Sequence, residues 1–149
     1  MEIKQLDLVI RLAAEQCSGA LERLGVARAQ WQSVSQQLQQ LQDYQAQYVA
    51  QAQHESQQGI SVQALAEGRR FIGELDGLIA TQQQSVDQQA ANLQTVTEQW
   101  IEAARYQEAI ERLRQQRIAE QAHRLDRHEQ QRVDDLYAVQ HVMRANGLL

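Results

Sequence analysis

The side chains with the most versatile chemistry in this chain are His54, His123, His128, His141 and Cys17. A helical metal site needs two imidazoles at i, i+4 so that both point from one face, and no histidine pair has that spacing. The histidines therefore read as solvated surface groups. Cys17 falls on a repeat of apolar positions, where a thiol acts as a small hydrophobe rather than as a nucleophile. A phosphate-cradling glycine loop, a dinucleotide fingerprint, a nucleophile elbow and a zinc motif are all missing from the sequence. The chain is not read as an enzyme, and no catalytic residue, cofactor or metal is assigned.

Two groups of residues remain whose chemistry suits binding. The first is Gln37, Leu41, Tyr44 and Tyr48, spaced four, three and four and so facing one way on a helix, with Phe71, Leu75, Leu78 and Gln82 repeating that spacing further on. Tyrosine joins a large apolar ring to a polar tip and is favoured at protein interfaces. The same spacing also suits packing between two helices, and both readings stand for these residues. The second group is the Arg-rich run Arg105, Arg112, Arg114, Arg117, Arg124, Arg127 and Arg132, interleaved with Glu108, Glu111, Glu120, Asp126 and Glu129. Mixed charge of this kind favours a solvated helix face over a docking surface. An acidic groove is the partner it would suit if it docks.

The elements that position these residues are legible from periodicity. Ile3, Leu6, Ile10, Ala13, Cys17, Ala20, Leu24, Ala27, Trp31, Val34, Leu38, Leu41, Gln45, Tyr48 and Ala52 follow one another at alternating steps of three and four. Gln45 is the single polar member of this coiled-coil ladder. The pattern breaks at Gln57-Gln58-Gly59-Ile60-Ser61. There Gly59 can close a helix in the left-handed conformation, Ser61 can cap the next one, and Ile60 can pack against Leu65 as a hydrophobic staple. The expected architecture is all-α: a helix over about 2–57, a turn at 58–61 and a second helix over about 62–144. Together they form an antiparallel coiled-coil hairpin and a single elongated domain spanning 1–149.

With no slip between the arms, facing residue numbers add to about 119, which sets Trp100 opposite Gly19 and Ala20 and Tyr48 near Phe71. Along the second helix the ladder is read through Phe71, Leu75, Leu78, Gln82, Val86, Ala90, Leu93, Val96, Trp100, Ala104, Gln107 and Ile110. Beyond the reach of the first helix it continues as Ile118, Ala122, Leu125, Val133, Leu136, Val139 and Met143, interrupted by Glu129. Gly68, Gly73 and Gly77 lower helix stability near the turn, where a mobile tip is expected.

Composition agrees. The 149 residues include 30 glutamines, a single Phe and no Pro, which favours helices and leaves little for a globular core. A net charge of −5 provides no basic field for nucleic acid. The lone cysteine excludes an internal disulfide, and no apolar run reaches the ~20 residues of a membrane span. A cytoplasmic protein is the simplest expectation.

The run from Leu38 to Tyr48 with its Asp43-Tyr44-Gln45…Tyr48 core, the Gly59-Ile60-Ser61 turn, Arg70-Phe71-Ile72 with Leu75 and Ile79, Trp100, and the stretch Glu120 to Asp126 together resemble the flagellar FliJ family. That family is the small coiled-coil component of the flagellar type III export apparatus, serving flagellum biogenesis and motility.

The resemblance implies a non-enzymatic stalk, similar to the coiled coil of a rotary ATPase γ subunit. It would dock in the export ATPase ring, promote its assembly and hydrolysis, and couple it to the membrane export gate. It also implies engagement of export chaperones, with no small-molecule substrate, and a peripheral position at the inner-membrane face. By the same resemblance the gate-facing surface maps to Gln37, Leu41, Tyr44, Tyr48, Phe71, Leu75, Leu78 and Gln82. The candidate ring-docking residues are Arg105, Arg112, Arg114, Arg117, Arg124, Arg127, Leu125 and Leu136. The alternatives are the equivalent stalk of a virulence type III secretion system and a membrane-surface or scaffolding coiled coil.

Overall fold

The structure is a computed structural model and describes residues 2–148. It contains two helices, α1 over Ile3–Gln57 and α2 over Val62–Ala145, folded back as an antiparallel hairpin. The all-α expectation holds. Gln, Ala, Leu, Glu and Arg lose little side-chain freedom in a helix, and no Pro interrupts either run.

The ends of the helices are closed by local hydrogen bonds. Gly59 takes φ +84°, a region that only glycine enters at no cost, and the Gly59 amide donates to the Ser56 carbonyl at 3.3 Å. Ser61 Oγ then accepts from the Ala64 amide at 3.1 Å, which satisfies one of the four free donors that open α2. At the far end of α2, Leu148 N–H donates to Met143 O at 2.9 Å and Gly147 N–H to Arg144 O at 3.2 Å. With Gly147 at φ +73°, this is a Schellman ending.

The chain divides into two compact units, Cys17–Ala103 and Met1–Gln16 with Ala104–Leu149. In the Cys17–Ala103 unit, Ala20, Leu24, Ala27, Leu38 and Leu75 are buried. Trp31, Val34, Leu41, Gln45, Tyr48 and Ala52 extend the α1 ladder as half-buried residues. On α2 the half-buried positions run through Ile72, Ile79, Gln82, Val86, Gln89, Leu93, Val96 and Trp100.

Two expected ladder positions are corrected here, because Leu78 is 56% exposed and Ala90 is also exposed. A strict alternation of three and four through Leu75, Gln82 and Val86 passes through Ile79 and Gln89 instead. The expected register is seen in the pairs Gln37–Gln82 and Tyr48–Phe71, whose numbers add to 119. At Gly19 a Cβ would have only the Arg23 guanidinium within 4 Å, while Ala20, the other residue expected opposite Trp100, is 2% exposed.

In the other unit, Leu6 and Ala13 are 0% and 1% exposed. Asp7 and Arg114 join α1 to α2 through an Oδ1–Nε ion pair of 2.5 Å. Ala104, Gln107, Ile110, Arg114 and Arg117 are half-buried, and every described residue from Ile118 onward is exposed. At 1.5 Å per residue, about 40 Å of α2 therefore continues with its side chains exposed.

Candidate functional surface

All eight residues of the aromatic surface fall in the Cys17–Ala103 unit, and helical geometry decides how they group. Tyr44 and Tyr48 lie one turn apart on α1, and the Phe71 ring of α2 meets both. Its centroid is 4.7 Å from that of Tyr48 at an interplanar angle of 58°, and 6.4 Å from that of Tyr44 in a T-shaped arrangement at 84°. Edge-to-face contact sets the electropositive ring rim against a π face, which adds roughly 0.5–1.5 kcal/mol beyond the buried area. Tyr48 and Phe71 are half-buried, whereas Tyr44 is 51% exposed. The cluster is thus anchored by two rings and presents the third to solvent.

A second group forms around Gln82. Its amide Nε2 donates to the Val34 carbonyl at 2.9 Å and to Gln37 Oε1 at 3.1 Å, so that Gln37 is held across the helix pair although it is itself exposed. Leu41 is half-buried and Leu75 is 4% exposed. Leu75 can support such a surface from beneath but cannot offer its own side chain to a partner. Leu78 does face outward, with 56% exposure. The eight residues therefore separate into an exposed set of Gln37, Tyr44 and Leu78, a half-buried set of Leu41, Tyr48, Phe71 and Gln82, and the buried Leu75.

Two features of this region were not anticipated from the residues. Gln45 Nε2 donates to Asp76 Oδ1 at 2.6 Å and to the Ile72 carbonyl at 3.4 Å. Its place as the one polar member of the α1 ladder was the signal, since a polar group in a helix seam must find a partner there. Beside the turn lies a groove of about 270 Å³, lined by Tyr48, Ala52, Ile60, Leu65 and Ile72 among others. The staple pairing of Ile60 with Leu65 already pointed to apolar side chains gathering at that place.

The Arg-rich candidates lie in the other unit, three of the six beside carboxylates of their own helix. Arg112 pairs with Glu108 at 2.6 Å, while Arg117 and Arg124 share Glu120 at 3.4 and 3.9 Å. Arg114 alone among these bridges the two helices, to Asp7. Arg105 and Arg127 make no ion pair among the described residues. Exposed pairs one turn apart contribute about 0.3–0.5 kcal/mol each and behave as a solvated face. Leu125 and Leu136 stand out from this face at 62% and 57% exposure.

Among the described residues no group of three or more His, Cys, Asp or Glu could hold a metal ion, and no helix is long and apolar enough to cross a membrane. What these surfaces can do is bind: ring faces, a tyrosine hydroxyl and amides on one unit, alternating charge and exposed leucines on the other.

The family model of the flagellar FliJ protein matches residues 1–147. The chain belongs to the FliJ family. No curated protein and no solved structure matches it individually. FliJ membership covers both units and the turn between the helices, and it sets the chain in flagellar biogenesis and type III protein export.

Proposed function

We propose that this FliJ-family chain acts as a stalk of the flagellar export apparatus, docking in the export ATPase ring and coupling it to the membrane export gate. The observation that carries this reading is the ring cluster of Tyr44, Tyr48 and Phe71, in which Tyr44 is held at fixed geometry and left half in solvent. A rigid aromatic anchor beside satisfied amides suits a protein partner better than any small molecule. In this reading the exposed Gln37, Tyr44 and Leu78 touch the gate, while Tyr48, Phe71, Leu75 and Gln82 hold them in place.

Ring docking is assigned to the terminal unit, through Arg105, Arg112, Arg114, Arg117, Arg124 and Arg127 with Leu125 and Leu136. A stalk biases ring subunits only if it binds their conformations with different affinity, and that difference is what would promote assembly and hydrolysis. Export chaperones are the remaining expected partners, and the working position is the cytoplasmic side of the inner membrane.

The test is a pull-down of export components with the wild type and Tyr44→Ala, run beside an ATPase assay with purified ring protein. Loss of the gate component with retained ATPase stimulation is the expected result. Unchanged capture of the gate by Tyr44→Ala would remove the aromatic surface from the reading, and an unstimulated ATPase would remove the ring.

A further inference from the structure

Past Arg117, α2 runs on with every described side chain exposed, and although Val133, Tyr137 and Val142 stand off to the side, six of its apolar residues share one stripe. Ile118, Ala122, Leu125, Glu129, Arg132, Leu136, Val139 and Met143 follow at steps of four and three without a break, a coiled-coil ladder about four heptads long. It is not the continuation of the ladder that packs on α1. That ladder passes through Gln107, Ile110, Arg114 and Arg117, and its next positions are Gln121, Arg124, His128, Gln131 and Asp135, all polar. The exposed stripe sits one residue further on, about 100° round the helix. A longer α1 would not have covered it, so it is built for a different helix.

The stripe is symmetric about its middle. Reading inward from both ends pairs Ile118 with Met143, Ala122 with Val139 and Leu125 with Leu136, and leaves Glu129 opposite Arg132. We propose that, when the chain is not docked in the ring, a second copy of this chain occupies the stripe and covers Leu125 and Leu136, the two α2 helices pairing antiparallel about a two-fold axis between Glu129 and Arg132. Each apolar residue then meets an apolar residue, and the central layer holds two Glu–Arg pairs between the copies.

Within one chain these two residues already pair at 2.9 Å, with side chains 60% and 66% exposed, so they need only exchange partners. Charge decides the direction: a parallel dimer in register would set Glu129 on Glu129 and Arg132 on Arg132. The flanking positions agree, because antiparallel pairing brings His128 beside Asp135 and Asp126 beside Val133 and faces no like charges. A charged layer in a seam fixes register at a cost in stability, so the association is expected to be weak and concentration-dependent.

The experiment is sedimentation velocity on the full chain from about 1 to about 300 μM, a span that brackets the micromolar association expected of a small interface. Wild type should shift from monomer to dimer, while Glu129→Arg and Arg132→Glu, each alone, should stay monomeric because their homodimers face like charges. Circular dichroism checks that both keep their helix content. Mixing the two variants should restore the dimer, since both central pairs then set an arginine of the first variant against a glutamate of the second.

Wild type that remains monomeric throughout would overturn the proposal and leave the stripe to another protein's helix. Single variants that dimerise like wild type would also overturn it, by locating any association elsewhere. Single variants that stay monomeric when mixed would refute the antiparallel register.

Discussion

Gln82 of α2 donates to the Val34 carbonyl of α1 at 2.9 Å, and the same amide reaches Gln37 at 3.1 Å. A polar side chain in a helix seam spends its hydrogen bonds on register rather than on net stability. Gln82→Ala is expected to cost about 1 kcal/mol by losing these bonds and leaving a small gap. Gln82→Leu should stay within about 1 kcal/mol of wild type, because a buried polar pair exchanged for apolar packing is often nearly neutral. Urea unfolding followed by circular dichroism measures both; an Ala variant as stable as wild type would deny the bonds any role.

The two tyrosines should respond differently to truncation. Tyr48 is half-buried and close to Phe71, so Tyr48→Ala is expected to destabilise the fold by about 2–3 kcal/mol, toward the low end of aromatic core truncations. Tyr44 is 51% exposed, and Tyr44→Ala should cost less than about 1 kcal/mol. Any loss of gate binding by Tyr44→Ala would then report on the surface rather than on folding, as thermal melts run in parallel would establish.

Gly59 has φ +84° and open space where a Cβ would be. Gly59→Ala should therefore cost about 1–2 kcal/mol from backbone conformation alone, with helix content unchanged, and Gly59→Asn should cost less. Denaturant melts of the two variants separate this origin from a steric one, which would penalise Asn more than Ala. If the turn orients the aromatic surface, gate binding falls together with the Ala variant's stability.

Leu6 is fully buried in the terminal unit. Leu6→Ala is expected to cost about 2–4 kcal/mol and to speed hydrogen exchange first in that unit, at 104–117 on α2. Amides in 125–145, where every side chain is exposed, should exchange faster than those of 75–100 even in wild type. Uniform protection along α2 would contradict both statements.

The residues made the hairpin legible because few alternatives were open to them. All the ladder residues from Ile3 to Ala52 are buried or half-buried, because their alternation of three and four is unbroken, although the exposed Leu8, Leu12, Leu21 and Val26 stand off the ladder. α2 was less clear near its start. Phe71-Ile72 and Leu78-Ile79 are adjacent apolar pairs, so two ladders one residue apart fit the spacing equally well, and it is Ile79 rather than Leu78 that faces α1.

The candidate surface was legible as a set of residues sharing a face, but not in its layering. That Leu75 lies beneath while Tyr44 projects depends on how far each side chain reaches across to the other helix, which spacing alone does not contain. The partner of Gln45 was likewise open in the sequence, because Asp76 lies 31 residues away and carries no local mark.

The offset of about 100° between the ladder that holds α1 and the stripe beyond Arg117 has a mechanical consequence. A helix laid on the stripe does not need the place that α1 occupies, so engagement there need not peel the hairpin open. Load applied at Leu125 or Leu136 would pass into the continuous backbone hydrogen bonds of α2 before it reached the side-chain contacts between the helices. The grip and the splice are on different sides of one shaft.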